Sequence, residues 1–297
     1  MSNMLIFLLM MVPGTFLLGL NDVLVRRVLR RGTTSEQLLL GYEFVAVGIL
    51  SIIPLMIQGL PDIKPGFWSA IIIGTVLNVF AQWSWYTAFK KEEASLISPL
   101  RLITPPLVLI TGYLILREEP TLGGIVGVLI TVVGLLLLLQ SEAVWSGKRL
   151  VDVIKRPGVL LGIWGAVSFA ISLPLDKKAV VNSSALLTVV LAFLGVGLAN
   201  VIIGKLLNLR DQGARRIDFK NNLGILLTLP FIHALAAFFT FSALNYALVA
   251  YAGSIKRLWS FWTVLLSGKL LGEQNIGKKL LATAIMLAGI AVTVLLG

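Results

Sequence analysis

The chain has 297 residues, 57% hydrophobic and 13% charged, with a formal net charge of +11. Soluble domains usually carry about 25% charged residues, so most of this surface must meet something other than water. There is no cysteine and only one histidine, which excludes disulfides, thiolate or multi-histidine metal sites and cysteine nucleophiles; neither a metal nor a cofactor is expected.

The apolar residues come in long blocks. A helix needs about 20 such residues to span a bilayer and satisfies its own backbone there. The alternating segments of about 10 residues that mark a membrane β-barrel are absent. The first block, Met4–Val25, has no basic leader and ends in Asn21-Asp22, not in a small-residue cleavage site. It reads as a membrane helix and not as a removed signal. Further spans are predicted at Glu36–Ile57, Phe67–Phe89, Ala94–Leu116, Leu122–Leu139, Val159–Leu175, Ala185–Leu207, Leu223–Tyr246, Ala250–Leu271 and Ile276–Leu296. A polar, basic stretch from Gln140 to Pro157 divides them. The expected fold is an all-α integral membrane protein of ten transmembrane helices: two inverted five-helix repeats, 1–140 and 158–297, joined by a basic loop at 141–157.

The halves share features at offsets of 151 to 155 residues. Arg26-Arg27 follow span one and Lys177-Lys178 follow span six; Leu100-Arg101 in span four matches Ile255-Lys256 in span nine. Span four ends Leu114-Ile115-Leu116-Arg117-Glu118, and span nine ends Lys269-Leu270-Leu271-Gly272-Glu273. Five is an odd number of crossings, so the second half must enter the membrane in the opposite sense, as in many secondary transporters. The stretches Ala94 to Leu138 and Ala252 to Val292 resemble the EamA-type drug/metabolite transporters. Each has a small-residue entry, a proline or polar break, a Gly, an apolar end, a Glu and a Gly-bearing final span. The resemblance covers nearly the whole chain. It implies ten helices around a central cavity, with spans five and ten at the periphery, and names no substrate.

Eighteen Lys and Arg lie in or beside the odd-numbered loops against four in the even-numbered ones. The positive-inside rule then puts the odd loops in the cytoplasm and both termini outside; the resemblance implies termini inside. The basic loops are assigned to anionic lipid headgroups and not to nucleic acid, and the location to the cytoplasmic membrane of a prokaryote.

Charges within spans cost roughly 2.5–3.5 kcal/mol each by insertion scales, so each needs a reason. Arg101, Lys256 and Arg257 are read as a carboxylate site near the axis relating the halves, or as side chains snorkelling to headgroups. Trp259 and Trp262 follow Lys256 at helical spacing and share its face. Asn78, Gln82 and Tyr86 form one polar stripe on span three, with Trp85 beside it; the stripe lines the cavity or bonds to a neighbouring helix. Asp22 either pairs locally with Arg26, four residues on, or couples transport to protons. Glu43 is a second coupling candidate or neutralises a buried cation. His233 is a pH-sensing candidate or bonds a backbone carbonyl. Apart from Glu36, which opens span two, Asp22 and Glu43 are the only acids placed inside spans.

Pro99, Pro105 and Pro106 are expected to interrupt span four. Gly123, Gly127 and Gly134, with Ala284 and Ala288, offer small-residue faces for packing or for a homodimer through spans five or ten. Glu118, Glu119 and Glu273 are expected to cap the following helices. There is no phosphate loop, no H-E-x-x-H and no G-x-S-x-G, so neither ATP hydrolysis nor a familiar hydrolase is indicated. The expectation is a secondary transporter of a small organic metabolite, an amino acid or other carboxylate-bearing or zwitterionic solute, working by alternating access with export as the usual direction. The alternatives are a carrier of aromatic or cationic drug-like compounds and, from other classes, an intramembrane enzyme or a membrane scaffold.

Overall fold

The computed structural model describes residues 3–30, 34–104, 107, 122–210, 217, 219–243 and 256–296, and every regular element among them is helical. In chain order these are α1 (Asn3–Arg30), α2 (Glu36–Gln58), α3 (Phe67–Lys91), α4 (Ala94–Ile97) running into a 3-10 turn (Ser98–Ile103), and α5 (Leu122–Trp145). A short α6 (Leu150–Ile154) leads to α7 (Pro157–Val181), α8 (Ala185–Arg210), α9 (Phe219–Ala243), α10 (Leu258–Leu271) and α11 (Ile276–Leu296).

Six helices are long and apolar enough to cross a membrane, and three shorter apolar ones lie at 94–103, 157–172 and 258–271. The expected count of ten is therefore not reached among the described residues. Much of the predicted fourth span and the start of the ninth fall at 105–106, 108–121 and 244–255, outside those residues. Pro105, Pro106, Glu118 and Glu119 lie there too.

Local chemistry sets several ends. The Ser35 hydroxyl accepts the Leu38 N–H and caps α2, one of the orphan donors of a helix start. Gly272 ends α10 in the left-handed conformation at φ 67°, its N–H bonded to the Ser267 carbonyl, a position that suits glycine. Pro99 stands at the start of the 3-10 turn. A proline has no N–H to donate, so the α-helical ladder of α4 tightens there.

The main packing contacts run between the halves. α3 lies along α7, α1 along α9, α2 along α8 and α5 along α11. Exchanging the two halves turns the α3–α7 contact into the α9–α1 contact and returns α2–α8 and α5–α11 to themselves. The structure thus has the pairing that two interlocked, related halves require. The α2–α8 crossing shows why glycine is needed. A Cβ on Gly41 would stand 2.8 Å from the Val201 backbone N, and one on Gly197 would stand 2.6 Å from that of Val45. The glycines of α5 face α11 of the same chain: Gly134 abuts Met286 and Ala282, and Gly289 abuts Thr131 and Gly127.

Hydrogen bonds and ion pairs place the loops after α1, α3, α5 and α10 at one end of the bundle. Arg30 donates to the Leu271 carbonyl at 3.0 Å, Asn275 to that of Ser141 at 3.1 Å, and Arg156 to Glu142 at 2.9 Å and Glu92 at 3.4 Å. At the other end the Lys64 N–H donates to the Asn182 carbonyl at 2.8 Å. In the first group lies Lys279, fully buried, paired with Glu93 and donating to Ser95 Oγ at 3.0 Å. Glu273 does cap a helix start, but not that of the following helix. Its two oxygens accept the N–H groups of Ala94 and Ser95, each at 2.9 Å, in the opposite half.

Candidate functional site

Two polar centres lie side by side in the middle of the bundle. The first is built on Asp22 of α1. Arg101 Nη1, from the 3-10 turn, donates to both its carboxylate oxygens at 2.8 and 2.7 Å. The hydroxyls of Ser98 and Thr263 donate to Oδ2 at 3.0 and 3.1 Å. Both charged side chains are buried, where an ion pair is tolerated only with further hydrogen bonds. The guanidinium is enclosed by aromatic rings, 4.7 Å from the Trp85 centroid, 5.1 Å from Phe89 and 5.0 Å from Trp259, within cation–π range. Lys256 Nζ approaches the same Trp259 ring at 6.0 Å, and Trp262 packs edge-on against Phe16.

The expected local pair of Asp22 with Arg26 does not form. Arg26 reaches the carbonyls of Phe89 and Lys90 at the end of α3, at 2.5 and 2.9 Å. Exposed carbonyls at a helix end attract a cation, whereas a carboxylate deeper in the bundle takes the guanidinium that the 3-10 turn delivers to it.

The second centre is built on Glu43 of α2, which is 0% exposed. Asn21 Nδ2 donates to its Oε1 at 2.9 Å, Tyr86 OH to its Oε2 at 2.5 Å, and His233 Nδ1 of α9 lies 2.6 Å from Oε1. Phe44 and Phe193 present their rings at 5.5 and 5.4 Å to the imidazole. The two candidates of the sequence, Glu43 and His233, meet each other.

A third acid was missed. Asp176, placed just beyond the end of span six by the sequence reading, lies within α7 and accepts from Asn78 Nδ2 at 3.3 Å, while Ser172 donates to Asn78 Oδ1 at 3.2 Å. Asp176 and Lys256 are within electrostatic reach of each other, as are Arg257 and Arg101. Asp176 follows Asp22 by 154 residues and Lys256 follows Arg101 by 155, so the nearly equal offsets between the halves could have found it. Asn78 and Tyr86 of the predicted stripe are thus bonded to α7 and α2, and Gln82 is half-buried between them on α3.

Some polar atoms are left over. Among the described residues the indole N–H groups of Trp259 and Trp262 are buried without an acceptor, the hydroxyls of Ser84 and Thr87 are buried without a partner, and Asn21 Oδ1 is buried without a donor. Buried donors are nearly always bonded, and the Trp259 indole, whose ring lies 5.0 Å from the Arg101 guanidinium, is an exception among the described residues.

The model of the EamA-like transporter family matches residues 5–140 and again 156–295. The chain belongs to that family. A solved crystal structure, described only as that of a protein, shares 16% identity with this EamA-like chain over 97% of it and 99% of the other, with a TM-score of 0.64; it shows a common fold. A comparison with curated proteins finds no match. The family and the apolar helices make this an integral, multi-pass membrane protein, and the family is one of transporters of small molecules.

Proposed function

We propose that this EamA-like protein is a secondary transporter of a carboxylate-bearing or zwitterionic organic solute, exported across the cytoplasmic membrane of a prokaryote by alternating access. The observation that carries the substrate class is the Trp259 indole N–H, which has no acceptor among the described residues and whose ring lies against the ring-enclosed Arg101, with a second such indole on Trp262 three residues on. A carboxylate supplies the missing acceptors and a second anion for Arg101, with Lys256 and Arg257 adding positive potential. Asp22 and Asp176 meet the ammonium group of a zwitterion, and Trp85, Asn78, Gln82 and Tyr86 complete the lining.

Alternating access is supported by the reciprocal packing of the halves. The end of the bundle carrying the odd loops is closed by Glu273 on Ala94 and Ser95 and by Lys279 on Glu93. With the basic loops in the cytoplasm, this closed end faces the cytoplasm and both termini lie outside. A C-terminal reporter active only in the cytoplasm stays dark on this reading, and a bright one reverses the orientation.

The test of the substrate class is the thermal stability of the purified protein against amino acids, organic anions and lipophilic cations. A ligand selective for the folded protein stabilises it by about 2.7 kcal/mol at 100-fold saturation. Carboxylates are expected to stabilise it, and Lys256→Ala or Arg101→Ala to remove the effect. Stabilisation by cations alone would give the site the opposite sign and transfer it to Asp22 and Asp176.

A further inference from the structure

We propose that the Glu43–His233 pair is a proton-binding site, separate from the substrate centre and linked to it through two dipeptides, Asn21-Asp22 and Trp85-Tyr86. The inference rests on the substrate reading only for its link to Arg101; the proton site stands on its own geometry.

Glu43 is fully enclosed, and its contacts are an amide, a phenol and an imidazole. An imidazole 2.6 Å from a carboxylate has two stable arrangements. With one proton it is neutral and donates Nδ1–H to the carboxylate, leaving the pair at −1. With a second proton it is an imidazolium facing a carboxylate, and the pair is neutral. The two states differ by one proton and by nothing else, so the balance is a single proton taken from water or returned to it. Of the two, the imidazole is the less enclosed, since the His233 side chain is 14% exposed and that of Glu43 is 0%. The proton enters and leaves through His233, while Glu43 holds the compensating charge. The groups facing the pair among the described residues are Asn21 from α1, Phe44 from α2, Tyr86 from α3 and Phe193 from α8, with Asp22 and Arg101 acting from the neighbouring centre. Of these, only Asp22 and Arg101 carry charge at neutral pH.

The link is in the chain itself. On α1, Asn21 donates to Glu43 while Asp22, the next residue, holds Arg101. On α3, Tyr86 donates to Glu43 while Trp85, the residue before it, lies against the Arg101 guanidinium. Adjacent helical residues point about 100° apart, so each of these helices presents one side chain to each centre. Any rearrangement of Asp22 or Arg101 around a substrate moves a ligand of Glu43 or changes the field at His233. An imidazole is the side chain suited to exchange protons near neutrality.

His233 is the only histidine, so the tag-free protein labelled with [15N]histidine gives one imidazole to read by NMR, with no substrate added. The expected result is conversion of that signal between imidazolium and neutral forms within about pH 5 to 9, and its loss of sensitivity to pH in Glu43→Gln. At one fixed pH near the midpoint, Asp22→Asn lowers the protonated fraction and Arg101→Gln raises it, because removing a negative charge disfavours a nearby cation and removing a positive one favours it. A threefold change in the protonation ratio is expected, roughly half a pH unit and so about 0.7 kcal/mol of coupling. A signal fixed in one form across the range overturns the proton site. A normal titration untouched by Asp22→Asn and by Arg101→Gln overturns the link. Either failure leaves the ligand panel of the substrate reading intact, and failure of the panel leaves this titration intact. The two opposite variants guard against one failing to fold.

Discussion

Glu273 accepts the backbone N–H of Ser95 at 2.9 Å across the boundary between the two halves. Its other oxygen takes Ala94 at the same distance, so one carboxylate from the end of α10 closes two of the orphan donors that begin α4. The same residue follows Gly272, whose left-handed turn ends α10. A motif that looks local in sequence thus fastens one half to the other.

Replacing Glu273 by alanine leaves two buried N–H groups without acceptors. Hydrogen bonds to charged groups contribute about 1.5–3 kcal/mol, and a loss of about 3 kcal/mol is expected. Glutamine keeps one acceptor and places an NH2 against the other donor, so Glu273→Gln falls between. Thermal melts in detergent rank the three proteins, and equal melting of wild type and Glu273→Ala would remove the cap from the account.

Lys279 is buried with Glu93 beside it and Glu142 at 3.5 Å. An exposed ion pair contributes about 0–1 kcal/mol and the loss of one partner of a fully buried pair costs about 3–5 kcal/mol; with Lys279 enclosed and Glu93 36% exposed, the loss lies between, at about 1–3 kcal/mol. Lys279→Met is expected to destabilise by that order, and adding Glu93→Gln to recover part of it. A double-mutant cycle reads the coupling; simple additivity would mean that the two side chains do not interact.

Gly197 tests the close crossing of α2 and α8. A Cβ there meets backbone, not a movable side-chain tip, so Gly197→Ala is expected to cost about 1–3 kcal/mol by overpacking. Gly224 on α9 is the control, since a Cβ there meets nothing within 4 Å. Gly224→Ala should be neutral or stabilise by roughly 0.5 kcal/mol through helix propensity. Matched losses at both sites would point to a general intolerance of alanine and not to the crossing.

Glu92, just past the end of α3, is held above the usual range of a glutamate because burial outweighs the pull of Arg156. The folded protein therefore binds this proton more tightly than the unfolded chain does. Stability falls as pH rises from the ordinary glutamate range through the raised value, and this contribution is flat outside that window. Glu92→Gln should remove that part of the slope, measured as melting temperature against pH; an unchanged slope would assign it to other groups.

The membrane helices were legible because a bilayer demands about 20 apolar residues whatever their neighbours are. The repeat was legible because related halves keep related offsets, Arg101 with Lys256 and Glu118 with Glu273. A nearly equal offset from Asp22 held Asp176, overlooked because it stands at the margin of its apolar block. The rule of i, i+4 spacing suggested Asp22 with Arg26, and it failed because spacing ranks only neighbours on one helix.

By itself, then, the sequence determined that this is a chain of membrane helices in two related halves, since length, apolarity and repetition are local properties. The tertiary structure alone decided the partners of the buried charges. Asp22 and Arg101, Glu43 and His233, and Glu273 and Ser95 are 79, 190 and 178 residues apart. In a dry interior each such group must find whichever complementary group the packing brings within 3 Å or so, and only the folded bundle says which one that is.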